Sequence, residues 1–131
     1  MADQAAPCIF CAMAEKYLCA NKLAFVIEDK FPAALGHSLI IPRRHMLTLD
    51  DASEEETIAL LALLKEAKAL IGEKYGADGF NIGINEGLAA GQTVMHLHIH
   101  IIPRRSGDVP NSRGGIRKVL PSRHRYHFES Y

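Results

Sequence analysis

A chain of 131 residues has the usual length of one domain, which we expect to span residues 1–131 and to be stable without a disulfide framework. Hydrophobic residues make up 48% of the sequence and charged residues 23%, which excludes an intrinsically disordered protein. Because 15 basic residues balance 15 acidic ones, a dedicated nucleic-acid-binding protein is also disfavoured.

The sequence carries no signal for a membrane. No apolar run approaches the roughly 20 residues that span a bilayer. The first residues also lack the basic region and apolar core of a secretory signal peptide. We therefore expect a cytoplasmic protein with no membrane partner.

The first motif along the chain is a pair of cysteines, Cys8 and Cys11, separated by two residues. With Cys19 the sequence has three cysteines, and an odd number does not suit a disulfide framework. The spacing of the pair is typical of a metal site or a redox motif. We expect Cys19 to be a small buried hydrophobic residue.

Two strands are predicted after the cysteine motif. Residues 23–29 are rich in β-branched and aromatic residues and run into Pro32. Residues 37–42 repeat this pattern after Gly36. Because only a short connection separates them, the two strands are expected to form an antiparallel hairpin.

A helix is predicted over residues 53–74. Ser53 and Glu56 have the spacing of a capping box, in which each side chain bonds the backbone N–H of the other residue. Gly72 and Gly76 mark the end of the helix. Apolar residues recur at helical spacing as one stripe: Leu60, Leu61, Leu64, Ala67, Leu70 and Ile71.

Two further strands complete the predicted sheet. Apolar and polar residues alternate over 80–85 and again over 93–103. The stretch 104–131 is rich in Gly and Pro and is expected to be mostly irregular, with a short strand at 116–120. Since the connections are too short for repeated βαβ units, the sequence predicts the α+β class.

Three histidines alternate with apolar residues in the last of these strands. Successive side chains of a strand point to opposite faces, so His96, His98 and His100 are expected to share one face. His96 and His100 would stand roughly 13 Å apart, which excludes one metal ion bound by all three. Neighbouring imidazoles can share a metal, or one can attack phosphorus while the next binds its oxygens.

This histidine pattern resembles the motif of the histidine triad (HIT) family, His-φ-His-φ-His-φ-φ with φ apolar, and residues 96–102 match it completely. The resemblance covers residues 8–108, which leaves 109–131 as a tail. It is also carried by Gly91-Gln-Thr-Val94, Pro103-Arg104, Gly36-His37, Ile41-Pro42, His45 and Asn85.

The resemblance implies a fold and an oligomeric state. The family fold is a sheet of about five antiparallel strands with one long helix and a short N-terminal helix. Two subunits of the family join their sheets across a dyad. We therefore expect a homodimer.

The resemblance also implies roles for individual residues. His98 would attack the α-phosphorus of a nucleotide and form a nucleotidyl-histidine intermediate. The backbone carbonyl of His96 would hold the other ring nitrogen of His98 and so fix its tautomer. His100 and His37 would contact phosphate oxygens. The other nucleotide-binding residues would be Gln92 and Thr93, which donate to the phosphate or leaving group, Asn85, which binds phosphate, and Asp29, which binds a ribose hydroxyl. The spacing of Asp29 fits equally a turn residue before Pro32.

Some members of the family bind structural zinc through two cysteines and two histidines. Zinc takes four tetrahedral nitrogen or sulfur ligands. The matching residues here are Cys8, Cys11, His45 and His96, so the resemblance implies a structural Zn²⁺ site and a reaction that requires no cofactor.

Three functions remain open. The first, which we favour, is a nucleotide hydrolase or transferase acting on dinucleoside polyphosphates such as diadenosine polyphosphates, with a nucleoside phosphoramidase as the alternative. The second is a non-catalytic nucleotide-binding protein. The third, a metal-dependent oxidoreductase with paired histidines, needs a carboxylate ligand that the histidine strand lacks.

Overall fold

The structure is a computed structural model that describes residues 8–11 and 16–121. A five-stranded sheet and one long helix form its framework. The strands are β1 (Cys19–Ala20), β2 (Ala24–Glu28), β3 (Ser38–Pro42), β4 (Gly79–Gly83) and β5 (Ile99–Arg104), and helix α1 is Glu54–Tyr75. Short 3-10 turns are formed by Leu49–Asp51, Leu88–Ala90 and Gly115–Val119.

The strands lie in the order β1-β2-β3-β5-β4, and every neighbouring pair is antiparallel. β2 and β3 form the predicted hairpin, with Val26 opposite Ile40. The α+β class, the five-stranded antiparallel sheet and the long helix are thus confirmed. The short N-terminal helix falls on a stretch that includes residues 1–7 and 12–15, which lie outside the described residues.

Apolar side chains are buried on both faces of the sheet. On one face, residues such as Val26 and Ile40 pack with the buried residues of helix α1 in the larger core. On the other face lies a smaller cluster, which contains Phe10, Phe25, Ile27, Leu39 and Ile41. Its four strand residues alternate with those of the larger core along β2 and β3. The smaller cluster brings the cysteine segment, residues 8–11, against the sheet.

Helix α1 begins at the predicted cap. The Ser53 hydroxyl accepts from the Glu56 backbone N–H, and the Glu56 carboxylate accepts from the Ser53 N–H at 2.9 Å. The predicted stripe is wrong at Leu61, which is 52% exposed. Leu63, absent from the prediction, is buried instead, because it shares a helix face with Leu60 and Ala67 at a period of about 3.6 residues.

The predicted strand over 93–103 is wrong at its first half, since β5 begins only at Ile99. In the register of β3 and β5, Pro42 would lie opposite Leu97, and proline has no N–H with which to extend the ladder. The backbone N–H of Leu97 donates to the Met46 carbonyl at 2.7 Å instead. The segment before β5 therefore turns away from β3 toward the loop after it.

The strand predicted at 116–120 is also wrong, because Gly115–Val119 forms a 3-10 turn. Gly114 and Gly115 have φ angles of +83° and +39°. Two successive residues with positive φ turn the chain sharply just before this segment, and the backbone N–H of Arg117 donates to the Gly114 carbonyl at 2.8 Å within the turn.

Among the described residues, no helix combines the length and the apolar character that a membrane crossing requires.

Candidate active site and metal centre

The triad segment presents its histidines and its apolar residues to opposite sides. Leu97, Ile99 and Ile101 are buried in the core that contains helix α1, as the alternation predicts. The imidazole rings of His98 and His100 lie on the other side, with 5.0 Å between their centroids. Adjacent histidine rings therefore touch.

His98 has one ring nitrogen fixed by the backbone. Its Nδ1 lies 2.9 Å from the carbonyl oxygen of His96, and the residue is 7% exposed. Because a carbonyl oxygen only accepts hydrogen bonds, Nδ1 carries the proton and Nε2 keeps its lone pair. A neutral imidazole in this state can act as a nucleophile.

His37 and His100 form a hydrogen-bonded relay with a defined direction. The backbone N–H of Ala33 donates to Nδ1 of His37 at 2.9 Å. His37 therefore carries its proton on Nε2, which lies 3.0 Å from Nδ1 of His100 and 3.6 Å from a carboxylate oxygen of Asp29. Because Nδ1 of His100 accepts, the His100 proton resides on Nε2.

The relay ends at a donor that is free to bind a ligand. Nε2 of His100 is buried, and no hydrogen-bond partner for it exists within the described part of the chain. Burial, reinforced by the neighbouring His98 and His37, lowers the pKa of His100 to about 4. Burial also lowers the pKa of His37, against the opposing effect of Asp29. Both imidazoles are therefore neutral at pH 7, and His100 presents an N–H to the site.

Asp29, His37 and His100 also lie close enough together to suggest a metal site, with possible ligand atoms within 4.8 Å of one another. The direction of the relay argues against this use. A metal bound at Nε2 of His37 would require the proton on Nδ1, where the Ala33 N–H already points. The geometry thus favours a hydrogen-bond relay, and it disfavours the metal-dependent oxidoreductase.

A second cluster has the composition of a zinc site. The ligand atoms of Cys8, Cys11, His45 and His96 all lie within 4.8 Å of one another. Nδ1 of His96 is 3.2 Å from Sγ of Cys8, 3.5 Å from Sγ of Cys11 and 3.2 Å from Nδ1 of His45. Nδ1 of His45 is 3.6 Å from Sγ of Cys11.

These separations fit the edges of a zinc tetrahedron. Ligands at the usual Zn–S and Zn–N distances of about 2.3 and 2.0–2.1 Å would be about 3.3–3.8 Å apart. The tautomer of His96 fits as well, because its Nε2 lies 2.8 Å from the carbonyl oxygen of Pro42 and donates to it. Nδ1 of His96 therefore directs its lone pair into the cluster.

The side chain of Gln92, which the resemblance implies as a donor to the phosphate or leaving group, bonds the backbone in this structure, and its role toward a ligand stays a prediction. Its Nε2 donates to the carbonyls of Leu47 at 3.0 Å and Val94 at 3.2 Å, while its Oε1 accepts from the Gly87 N–H. Both amide hydrogens are thereby used, so Gln92 ties the loop before the triad to the loop after β3. Thr93, the next residue, is exposed.

The two remaining predicted residues lie at the ends of strands. Asn85 is half-buried just after β4. Asp29 follows β2, where one carboxylate oxygen accepts from the Phe31 N–H at 3.0 Å and the other faces His37. Asp29 thus has the turn contact expected from its spacing and also lies next to the relay. The structure contains no nucleotide, so the ligand roles of both residues stay predictions.

Sequence reasoning missed three contacts that organise the site. They are the Ala33 N–H on His37, the Pro42 carbonyl on His96, and the ring of Phe10 against two histidines. The first two are backbone groups, which leave no signal in side-chain patterns. Phe10 lies between the two cysteines, and this position was the only sequence feature that indicated a place near the histidines.

Residues 13–107 match the family model described as the HIT domain. The chain therefore belongs to the HIT domain family, which confirms the resemblance seen in the sequence.

Relatives with known activities are similar over most of this chain. Adenylylsulfatase HINT3 of Arabidopsis thaliana is 36% identical over 106 residues, which are 77% of this chain and 54% of that protein. The asymmetrical bis(5'-nucleosyl)-tetraphosphatase of Schizosaccharomyces pombe is 38% identical over 88 residues, 67% of this chain and 48% of that protein. The chain spans about half the length of these two relatives.

A solved structure of the same family is similar in fold. The crystal structure of a Zn-bound histidine triad family protein from Mycobacterium smegmatis is 35% identical, with a TM-score of 0.72 and coverage of 80% of each chain.

Proposed function

We propose that this protein is a nucleotide hydrolase or transferase in which Nε2 of His98 attacks the α-phosphorus. The observation that carries the proposal is the contact between Nδ1 of His98 and the His96 carbonyl, because it leaves the lone pair of Nε2 free. The buried N–H of His100 lies on the adjacent ring and can donate to an oxygen of the phosphorus.

The reaction takes place in two displacements at phosphorus. In the first, the Nε2 lone pair forms a P–N bond while the bond from phosphorus to the leaving group breaks, and that bonding pair departs with the leaving group. In the second, water attacks phosphorus and releases a proton to the solvent, the P–N bond breaks, and its bonding pair returns to Nε2 of His98 as the lone pair. The proton stays on Nδ1 of His98 throughout and is donated in a hydrogen bond to the His96 carbonyl, so a backbone dipole stabilises the charge of the imidazolium intermediate.

We propose dinucleoside polyphosphates as the substrates, with nucleoside phosphoramidates as the alternative. The similarity to the Schizosaccharomyces pombe tetraphosphatase supports the first choice, and both classes offer an α-phosphorus bonded to a nucleoside. The Arabidopsis relative adds adenylyl sulfate as a third compound of the same chemical kind.

A substrate panel tests this proposal. The parent protein, treated with a chelator, is incubated with diadenosine polyphosphates, an adenylyl phosphoramidate and adenylyl sulfate. We expect release of AMP from at least one of them, with H98N as the inactive control. If none is hydrolysed although nucleotides bind, the protein is a non-catalytic nucleotide-binding protein. If chelation abolishes the activity altogether while the fold persists, and the C8S/C11S double variant keeps activity, a metal outside the cysteine cluster carries the chemistry.

We further propose that Cys8, Cys11, His45 and His96 hold a structural zinc ion. The separations of their ligand atoms and the tautomer of His96 support this assignment. The chemistry that zinc supplies there is a cross-link between the cysteine segment, the loop after β3 and the triad segment.

We also propose a homodimer with β4 at the interface. β4 is an edge strand in this chain, and an unpaired edge favours pairing with another strand. Ile58 and Leu61 expose apolar surface on helix α1, at 63% and 52%. Light scattering at micromolar concentration should give twice the 14.4 kDa chain mass, and a monomer would contradict this interface.

A further inference from the structure

We propose that Phe10 is a positioning residue for His98, and that the cysteine segment 8–11 thereby links the metal centre to the nucleophile. The inference rests on the proposed function, because it takes His98 as the group that attacks phosphorus. It concerns how the ring is oriented, whereas the proposed function concerns what the ring does.

Phe10 packs with its ring roughly perpendicular to two histidine rings at once. Its centroid lies 5.1 Å from that of His98 at an interplanar angle of 72°, and 5.9 Å from that of His96 at 81°. Both contacts have the edge-to-face geometry that aromatic rings prefer. Phe10 is only 5% exposed, so it fills a defined space in the smaller cluster.

The ring of His98 needs this contact to keep its direction. The hydrogen bond from Nδ1 to the His96 carbonyl fixes one atom, but the ring can still tilt about that bond. Two other rings restrict the tilt, Phe10 and His100. An in-line attack requires Nε2 of His98 to point at phosphorus. Loss of the Phe10 ring or the His100 ring therefore reduces the fraction of His98 orientations that can react.

Phe10 is in turn held in place through Cys8 and Cys11, the two ends of the cysteine segment. Sγ of Cys8 and Sγ of Cys11 lie 3.2 and 3.5 Å from Nδ1 of His96. Thiols form only weak hydrogen bonds, whereas a metal ion would hold both sulfurs firmly. Occupancy of the metal centre therefore fixes the segment that carries Phe10, and through Phe10 it limits the motion of His98.

A matched pair of substitutions separates positioning from simple core packing. Phe25 belongs to the same apolar cluster and is 2% exposed, but its ring contact is with Arg43. F10L and F25L remove the same atoms from this cluster. In F10L we expect the rate of His98 labelling by an α-phosphorus-labelled substrate to fall about 10-fold, and about 100-fold in F10A. F25L should stay within about threefold of the parent.

Two further measurements identify the cause of the loss. Metal per chain in F10L should equal that of the parent, and KM should change less than kcat, because phosphate-binding groups are untouched. The His98 Nδ1–H resonance in NMR spectra should exchange faster with water in F10L than in the parent or F25L, since the ring is less restrained.

A double-mutant cycle tests the link to the metal. Replacing Cys8 and Cys11 together by serine should lower the labelling rate about as much as F10A does, and adding F10A should then cost little more. Equal labelling rates in F10L and F25L, or independent effects of F10A and the cysteine changes, would overturn the inference. A parent protein that never becomes labelled would instead refute the proposed function.

Discussion

At the level of single residues, backbone groups determine which nitrogen of each histidine is free. Nδ1 of His98 faces a carbonyl, whereas Nδ1 of His37 faces an amide N–H. Nδ1 therefore donates in His98 and accepts in His37, so the two rings present opposite patterns of donor and acceptor. The proposed nucleophile, His98, and the relay donor, His37, differ in this way.

Replacing His98 by asparagine should abolish turnover while nucleotide binding persists. The covalent step loses its nucleophile, but the donor on His100 remains. We expect kcat to fall by at least about 1,000-fold, with the nucleotide dissociation constant changed by less than about tenfold. Activity of H98N within tenfold of the parent would exclude His98 as the nucleophile.

Stability should fall on mild acidification because His100 is buried as a neutral group. Its pKa is lowered from 6.5 to about 4, so between these values the unfolded chain binds a proton that the folded chain does not. The free energy of unfolding is therefore highest above pH 6.5 and falls toward pH 4, by up to about 1.4 kcal/mol per pH unit for this group.

Urea unfolding at several pH values checks this expectation. H100N keeps a polar side chain that cannot take up a proton, so its stability should depend less on pH over the same interval. Identical pH dependence in the parent and H100N would contradict the assignment of a neutral buried imidazole.

Residue types and spacing predicted the members of both clusters but not their bonding. The alternation of the triad segment placed its histidines together, and the family resemblance grouped Cys8, Cys11, His45 and His96. The backbone contacts of Gln92 could not be predicted, because an amide that ties loops together has the same sequence as one that binds phosphate; its role as a phosphate donor stays a prediction. One of its backbone partners, Leu47, lies 45 residues away in sequence, beyond the reach of a local pattern.

At the level of elements, local signals predicted β2, β3, β4 and α1 to within a few residues. The capping box located the start of α1 because both of its hydrogen bonds are local. β5 was predicted too long because its first half depends on a partner strand that ends in Pro42, a tertiary constraint that alternation does not report.

A substitution at the N-terminus of α1 should lower the stability of the protein without changing its activity. Glu56 completes the capping box and pairs with Arg44 at 2.8 Å, and these contacts lower its pKa to about 2. Their stabilisation is present above about pH 4.5 and is lost as the pH falls toward 2. At pH 7, E56Q should lower the free energy of unfolding by about 1–2 kcal/mol, with kcat unchanged.

E55Q is the matched control, since it removes the same charge from the same turn at an exposed position. Thermal or urea unfolding of both variants measures the difference. If E55Q destabilises as much as E56Q, the general charge of the first turn is responsible and the Arg44 contact is not.

At the level of the whole molecule, two clusters of side chains lie next to each other along the triad segment, residues 96–100. His96 belongs to the cysteine cluster, while His98 and His100 belong to the site at which we propose the attack on phosphorus. The sheet brings β3 and β5 together so that His37 reaches His100, and the loop after β3 brings His45 to His96.

Loss of the metal should destabilise the fold more than it changes nucleotide binding. C8S should release metal and lower the melting temperature by about 5–10 °C, because a structural ion contributes folding free energy directly. C19A is the control, since Cys19 is buried outside the cluster. Metal analysis of the parent showing less than about half a zinc ion per chain would contradict the site.

The covalent intermediate tests the central claim most directly. The protein is mixed with substrate labelled at the α-phosphorus, quenched in milliseconds, and digested to locate the label. We predict one labelled residue, His98, with a linkage labile to acid and stable to base, formed as the leaving group departs and absent in H98N. A burst of hydrolysis with no protein-bound nucleotide would contradict the mechanism, because direct attack by water never labels the chain.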